Sequence, residues 1–230
     1  MKRLNLLSGN QLKILAAITM TIDHIGVYLL PQFSFLRIIG RLAFPIFAFA
    51  IAEGCTYTKN RKKYLLKILI LALIFQLVYF FAMHSLYQCI FVTFALSISN
   101  IFAIDKAKKE PKYIPLAIGV FALTVFLTVF MPKILPGFKI DYRFFGTMLP
   151  VMVYFGRNKW EKLLLLALGL LMLSGTGAGI QWYSLATVPI IALYNGKRGK
   201  LHMKNFFYIY YPTHLVVIHF IRFIIEKFLR

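Results

Sequence analysis

An all-α fold, a polytopic membrane helical bundle of about nine transmembrane helices with a cytoplasmic N-terminus, is what the sequence predicts, and three observations predict it. Of 230 residues, 60% are hydrophobic and only 15% charged, against roughly half and a quarter in a soluble domain. The apolar residues fall in blocks separated by basic connections, the pattern of a multi-pass membrane protein. The Lys and Arg residues crowd into alternate connections. Residues 1–230 read as a single membrane-embedded domain, because no polar stretch is long enough for a second, soluble one.

The nine apolar segments are 14–30, 35–52, 64–83, 87–104, 113–131, 142–155, 160–173, 182–194 and 206–225. A spanning helix needs about 17–25 residues, so segments six to eight are short and read as tilted, broken or re-entrant; eight or ten spans are the neighbouring solutions. Asn10 is the expected N-cap of the first helix. The basic start "MKRLNLLSGNQLK" is followed by no small-residue cleavage site, so the first run reads as a retained helix. The N-terminus and the second, fourth, sixth and eighth connections hold 19 Lys and Arg; the other side holds 7, and Arg41 lies inside a segment. The positive-inside rule then places the N-terminus in the cytoplasm and the C-terminus outside, with the bacterial plasma membrane as the expected location.

The net charge of +20 would suit nucleic acid, but the hydropathy excludes it, and the basic connections read as contacts to anionic lipid headgroups with room for a phosphorylated ligand. Cys55 and Cys89 are expected on opposite sides of the membrane, without a disulfide. The glycine-rich "LSGTGAGIQWY", 173–183, lacks the lysine and the strand–loop–helix context of a phosphate loop and reads as a tight external turn. No metal-ligand spacing and no internal repeat stand out.

The costly residues are those in or at the ends of the apolar blocks: Asp23 and His24 within "TIDHIGVYLL", Arg41 in the second segment, Glu53 at its cytoplasmic end in a functional or simply interfacial place, and His214 and His219 in the ninth. Charges at such depth face a bundle interior and mark function. A plain ion pair between Asp23 and Arg41 is the bland alternative, and it leaves His24 unexplained because adjacent helical residues do not share a face. Lys13 and His24 are eleven residues apart, which on a helix puts them within roughly 20° of one face and about 16 Å apart along the axis. A cation at the inner mouth and a deep imidazole suit a long ligand with phosphates at one end and reactive chemistry at the other. Pro45 frees the carbonyl of Arg41 and is expected to kink the second helix. Pro212 does the same in the ninth, where Tyr211 and His214 share a face; His219 reads as a packed or interfacial histidine. Broken helices and intramembrane charges also suit a small transporter or channel, which is the rival reading.

"TIDHIG", then "GRLAFPIFAFAIAEGCTYTKNRKKYLLKILIL", then "YYPTHL" near the C-terminus resemble the TraX family over nearly the whole chain, most specifically in the first 70 residues. That family is similar to the acyltransferase type 3 superfamily of integral membrane enzymes. The superfamily's basic residue, ten others and then His matches Lys13 and His24, and its Arg followed by Pro and aromatics matches Arg41, Pro45, Phe47 and Phe49. The resemblance implies transfer of an acyl group, usually acetyl, from cytoplasmic acetyl-CoA to an amine or hydroxyl at or beyond the membrane; the family's prototype is associated with N-terminal acetylation of conjugative pilin. It makes His24 the general base or transient acyl carrier, with Asp23 and Arg41 orienting or balancing the site and Tyr211 and His214 completing it. Lys13, Glu53, Arg61, Lys62 and Lys63 would serve the CoA end. The implied partners are the bilayer, acyl-CoA and an acceptor of open identity: a pilin-like protein, a glycan or a small molecule.

Overall fold

The computed structural model describes residues 6–176, 179–200 and 206–228. Lys2, Arg3, Lys204 and Arg230, counted above among the basic residues, lie outside them, as do positions 177 and 178 of the glycine-rich stretch. Among the described residues the chain is helical: α1 (Gly9–Tyr28), α2 (Ser34–Gly40), α3 (Ala43–Tyr57), α4 (Arg61–Met83), a two-residue strand β1 (Tyr87–Gln88), α5 (Ile90–Lys109), α6 (Ile114–Val125) running through a π-turn at Phe126–Phe130 into α7 (Met131–Ile134), β2 (Lys139–Ile140), α8 (Arg143–Phe155), α9 (Lys159–Gly175), a 3₁₀ helix (Gly179–Ala186), α10 (Thr187–Ala192) and α11 (Phe206–Phe228). Four stretches are long and apolar enough to cross a membrane: Ser34–Tyr57, Arg61–Phe81, Ile90–Lys109 and Pro111–Ile134. Two of these, Arg61–Phe81 and Pro111–Ile134, have only 17% and 11% of their most apolar window covered by the rest of the protein. Leu69, Leu73, Leu77, Ile118 and Leu123 stand bare on them, an exterior that matches hydrocarbon and not water.

The chain forms two compact units, residues 1–50 with 174–230 and residues 51–173. In the first unit, α1 is started by Ser8 and not by Asn10. The Ser8 Oγ accepts from Gln11 N at 3.4 Å and the Gln11 Oε1 accepts from Ser8 N at 2.8 Å, a reciprocal capping box that begins the helix before Asn10. The base of α1 is tied to the stretch after α10 by backbone bonds: Leu7 N to Leu193 O, Asn195 N to Leu7 O, Gly9 N to Lys197 O and Asn10 N to Arg198 O, all between 2.8 and 3.0 Å. Helices α1 and α2 pack closely, because a Cβ on Gly26 would stand 2.8 Å from Leu36 Cβ and one on Gly40 would overlap the Asp23 side chain.

The second apolar segment is not one kinked helix. It breaks at Arg41–Leu42, ahead of Pro45, and α3 starts afresh at Ala43. Pro45 sits in the first turn of α3, where its missing N–H has no helical partner to lose, so the interruption moves upstream. Segment eight is likewise a 3₁₀ helix followed by a six-residue α10, and the 3₁₀ helix occupies much of what the glycines suggested was a tight turn.

In the second unit α5 is the central helix. Thr93, Ser97 and Asn100 on it are at most 1% exposed. Ser97 Oγ donates to Thr147 O of α8 at 2.7 Å and Asn100 Nδ2 to Thr124 Oγ1 of α6 at 2.7 Å. Such short polar contacts join helices where the surroundings offer no competing water. Both cysteines are buried and unpaired.

Candidate functional site

The first unit gathers Asp23, His24, Arg41 and His214 around the C-terminal turns of α1. Asp23 Oδ1 accepts from Arg41 Nη2 at 2.7 Å and its Oδ2 accepts from Arg37 Nη1 at 3.0 Å. Arg41 Nε donates to the Arg37 carbonyl at 3.2 Å and Nη1 to Gln181 Oε1 of the 3₁₀ helix at 3.4 Å. The Asp23 and Arg41 side chains are only 13% and 11% exposed. One carboxylate therefore faces two guanidinium groups, and this corner keeps a net positive charge at low exposure. The carboxylate fixes both forks in place. Gly40, buried against Asp23, supplies the room for that contact.

His24, on the neighbouring face, meets α11. Its Nδ1 is 2.8 Å from His214 Nε2, with the rings stacked at 5.0 Å between centroids. His214 Nδ1 is 2.9 Å from the Tyr210 carbonyl oxygen. A carbonyl only accepts, so His214 carries its proton on Nδ1 and, when neutral, presents a bare Nε2. His24 must then donate from Nδ1, which leaves its own Nε2 without a proton. The backbone carbonyl thus sets the tautomer of two imidazoles in succession, as a carboxylate does for a single histidine in a catalytic triad. The Tyr210 ring stacks on His214 at 5.2 Å, and its hydroxyl lies 2.6 Å from Thr21 Oγ1 on α1, which locks α11 to α1 one turn from the histidines. Tyr211 meets the His214 ring edge-on at 5.5 Å. His219 packs against Tyr28 at 4.5 Å, the packed histidine expected of it.

Lys13 is on α1, eleven residues before His24, in the same continuous helix. The remaining expected residues belong to the second unit. Glu53 Oε1 accepts from Lys162 Nζ at 2.6 Å, with side chains 12% and 17% exposed. Arg61 Nη2 donates to Asp105 Oδ2 at 2.6 Å, and the Tyr154 hydroxyl donates to the same oxygen at 2.6 Å. Lys62 and Lys63 are exposed in the first turn of α4, where Asn60 caps the Lys63 N–H at 2.8 Å.

Sequence reasoning missed Arg37, Tyr210 and Gln181. Arg37 is one of the 7 cations on the less basic side, although it stands four residues before Arg41 on a helix and so shares its face. Tyr210 bears the same i,i+4 relation to His214, which the neighbouring Tyr211 obscured. Gln181 gives no local signal, because it meets Arg41 only through the fold.

A family model described as TraX protein matches residues 8–222. An uncharacterised protein of Rickettsia prowazekii (strain Madrid E) is 63% identical over 38 residues, 16% of this chain and 15% of that protein's length. A protein of Dichelobacter nodosus named "Probable fimbrial assembly protein FimC, serogroup H1" is 25% identical over 240 residues, 92% of this chain and 94% of its own. No solved structure matches the chain.

Proposed function

The chain belongs to the TraX family, and from that premise we propose an integral membrane acyltransferase that moves an acyl group, acetyl first, from cytoplasmic acyl-CoA to an acceptor amine or hydroxyl at or beyond the bilayer. The observation that carries the reading is the relay from the Tyr210 carbonyl through His214 to His24, which leaves His24 Nε2 without a proton and so able to accept one, as a general base does. The acceptor N–H or O–H gives its proton to that nitrogen while the acceptor atom attacks the thioester carbonyl. The C–S bond breaks, and the leaving thiolate takes the proton back from His24. Arg41 and Arg37, held by Asp23, supply positive charge at low exposure for the oxyanion that develops. A short-lived acyl group on His24 is the two-step version of the same transfer.

The donor enters from the cytoplasm in the nine-span topology that the charge asymmetry supports. Its phosphates meet Lys13 at the inner mouth; the basic stretch with Arg61, Lys62 and Lys63 belongs to the second unit and is a further anion-attracting segment. These three side chains sit in the first turn of α4, which has no acidic residue. Cations there oppose the helix dipole; Arg61 is already balanced by Asp105, and an anion, whether ligand phosphate or lipid headgroup, relieves Lys62 and Lys63. Glu53 is engaged with Lys162 and acts in this scheme as a counter-ion, not as a contact to the donor. The name of the Dichelobacter relative supports a pilin-like protein as acceptor; a glycan or a small molecule is the alternative class.

The test is transfer itself. Purified protein incubated with radiolabelled acetyl-CoA and total membrane extract should pass label to an acceptor, and the His24→Ala protein should not. Lys13→Ala should raise the KM for acyl-CoA about tenfold with little change in kcat. Label transfer by His24→Ala at the native rate rejects the assignment.

A further inference from the structure

The 3₁₀ helix and the start of α10 carry three buried polar atoms that have no hydrogen-bond partner among the described residues: Gln181 Nε2, Ser184 Oγ and Thr187 Oγ1. Their residues are 6%, 0% and 0% exposed. Buried donors of this kind are normally satisfied, and each one left alone is costly. Their spacing is regular. Residues three apart eclipse in a 3₁₀ helix, which rises about 2 Å per residue, so the three groups form a row about 12 Å long on one face. Gln181 Oε1 is taken by Arg41, which leaves its amide as a pure donor, while each hydroxyl can donate or accept.

The row has a fixed position along α1. At one end Gln181 meets Arg41, which holds Asp23, the residue before His24. Beyond the other end, the chain from Leu193 to Arg198 is bonded to Leu7, Gly9 and Asn10, one turn below Lys13. The row therefore lies in the interval between the lysine and the reactive histidine. It holds no carboxylate, so it does not suit a cation, and its groups match a neutral chain that bears oxygens and amides along its length.

We infer that Gln181, Ser184 and Thr187 form a hydrogen-bonding rail for the uncharged amide- and hydroxyl-bearing arm of an acyl thioester donor, between its phosphates at Lys13 and its thioester at His24. This rests on the acyl-CoA reading above and adds to it the surface that reads the arm.

The chain has two tryptophans, and Trp182 stands within the rail segment, 48% exposed. A Trp160→Phe background makes Trp182 the sole tryptophan reporter. In detergent or lipid discs, CoA and pantetheine should both change its emission at saturable concentrations. Adding Ser184→Ala and Thr187→Val together should weaken pantetheine and CoA about tenfold and leave adenosine 3′,5′-bisphosphate binding unchanged. The unliganded double variant should melt no lower than its parent, because neither hydroxyl has a partner to lose. CoA and pantetheine affinity undiminished in the double variant would show that the hydroxyls serve only water, overturning the rail and leaving the donor reading intact. Equal weakening of the bisphosphate, or a lower melting temperature, would show general distortion and also overturn it. Failure of the parent to bind CoA at all would remove the donor reading and the rail together.

Discussion

His24 Nδ1 and His214 Nε2 lie 2.8 Å apart although 190 residues separate them in the chain. In the proposed transfer His214, oriented by the Tyr210 carbonyl, is a positioning residue and His24 the reacting one. The two should lose activity to different degrees. His24→Ala is expected to lower kcat by about 10²–10⁴. His214→Ala should cost less. His214→Gln, which retains a side-chain oxygen able to accept from His24 Nδ1–H, should recover part of the difference. Single-turnover transfer of labelled acetyl groups measures all three; equal loss in both His214 variants would show that the relay does not set the tautomer.

Asp23 should matter for stability as well as for transfer. Replacing it with Asn leaves Arg37 and Arg41 facing each other without their shared carboxylate, and removing one partner of a buried pair costs about 3–5 kcal/mol. Arg37→Gln should be milder than Arg41→Gln, since Arg37 is 30% exposed against 11% for Arg41. Thermal unfolding in a fixed detergent ranks the three variants, and the expected order of melting temperatures is Arg37→Gln highest, with Asp23→Asn and Arg41→Gln well below.

Two glycines provide a steric contrast. A Cβ at Gly40 would fall on the Asp23 carboxylate, whereas one at Gly119 meets nothing within 4 Å. Gly40→Ala should destabilise by about 1–3 kcal/mol through overpacking and should impair transfer by displacing Asp23. Gly119→Ala, inside α6, should leave stability unchanged or raise it by up to about 1 kcal/mol. The pair is read by chemical unfolding alongside the transfer assay.

The nine-span topology predicts an external C-terminus. Alkaline phosphatase fused after Arg230 should be active in a bacterial host, and a green fluorescent protein at the same point should be dark. The reverse result would require an even number of crossings and overturn the nine-span reading.

Much of the site was legible because the bilayer makes its residues conspicuous. Asp23, His24, Arg41 and His214 are polar groups in apolar runs, and the structure brings each of them into contact with at least one of the others. The N-terminal start was misplaced by two residues because Ser8 and Asn10 are both good caps, and only the return bond from Gln11 separates them. The break in the second segment was expected at Pro45 and occurs at Arg41–Leu42. A proline marks where a helix lacks a donor, but in a first turn that donor is not missed. Gln181, Ser184 and Thr187 were invisible because a three-residue period confined to an eight-residue 3₁₀ helix and the residue after it looks like any mixed stretch. Lys162 and Asp105 were hidden for the usual reason that a basic loop gives no sign of which of its charges are already paired.

The two imidazoles come from helices far apart in the chain, which makes their pairing a report on assembly: the contact exists only once α11 has come to rest against α1. A fragment that carries α1 without α11 keeps His24 but loses that partner, so in the proposed transfer it should behave no better than the His214→Ala protein.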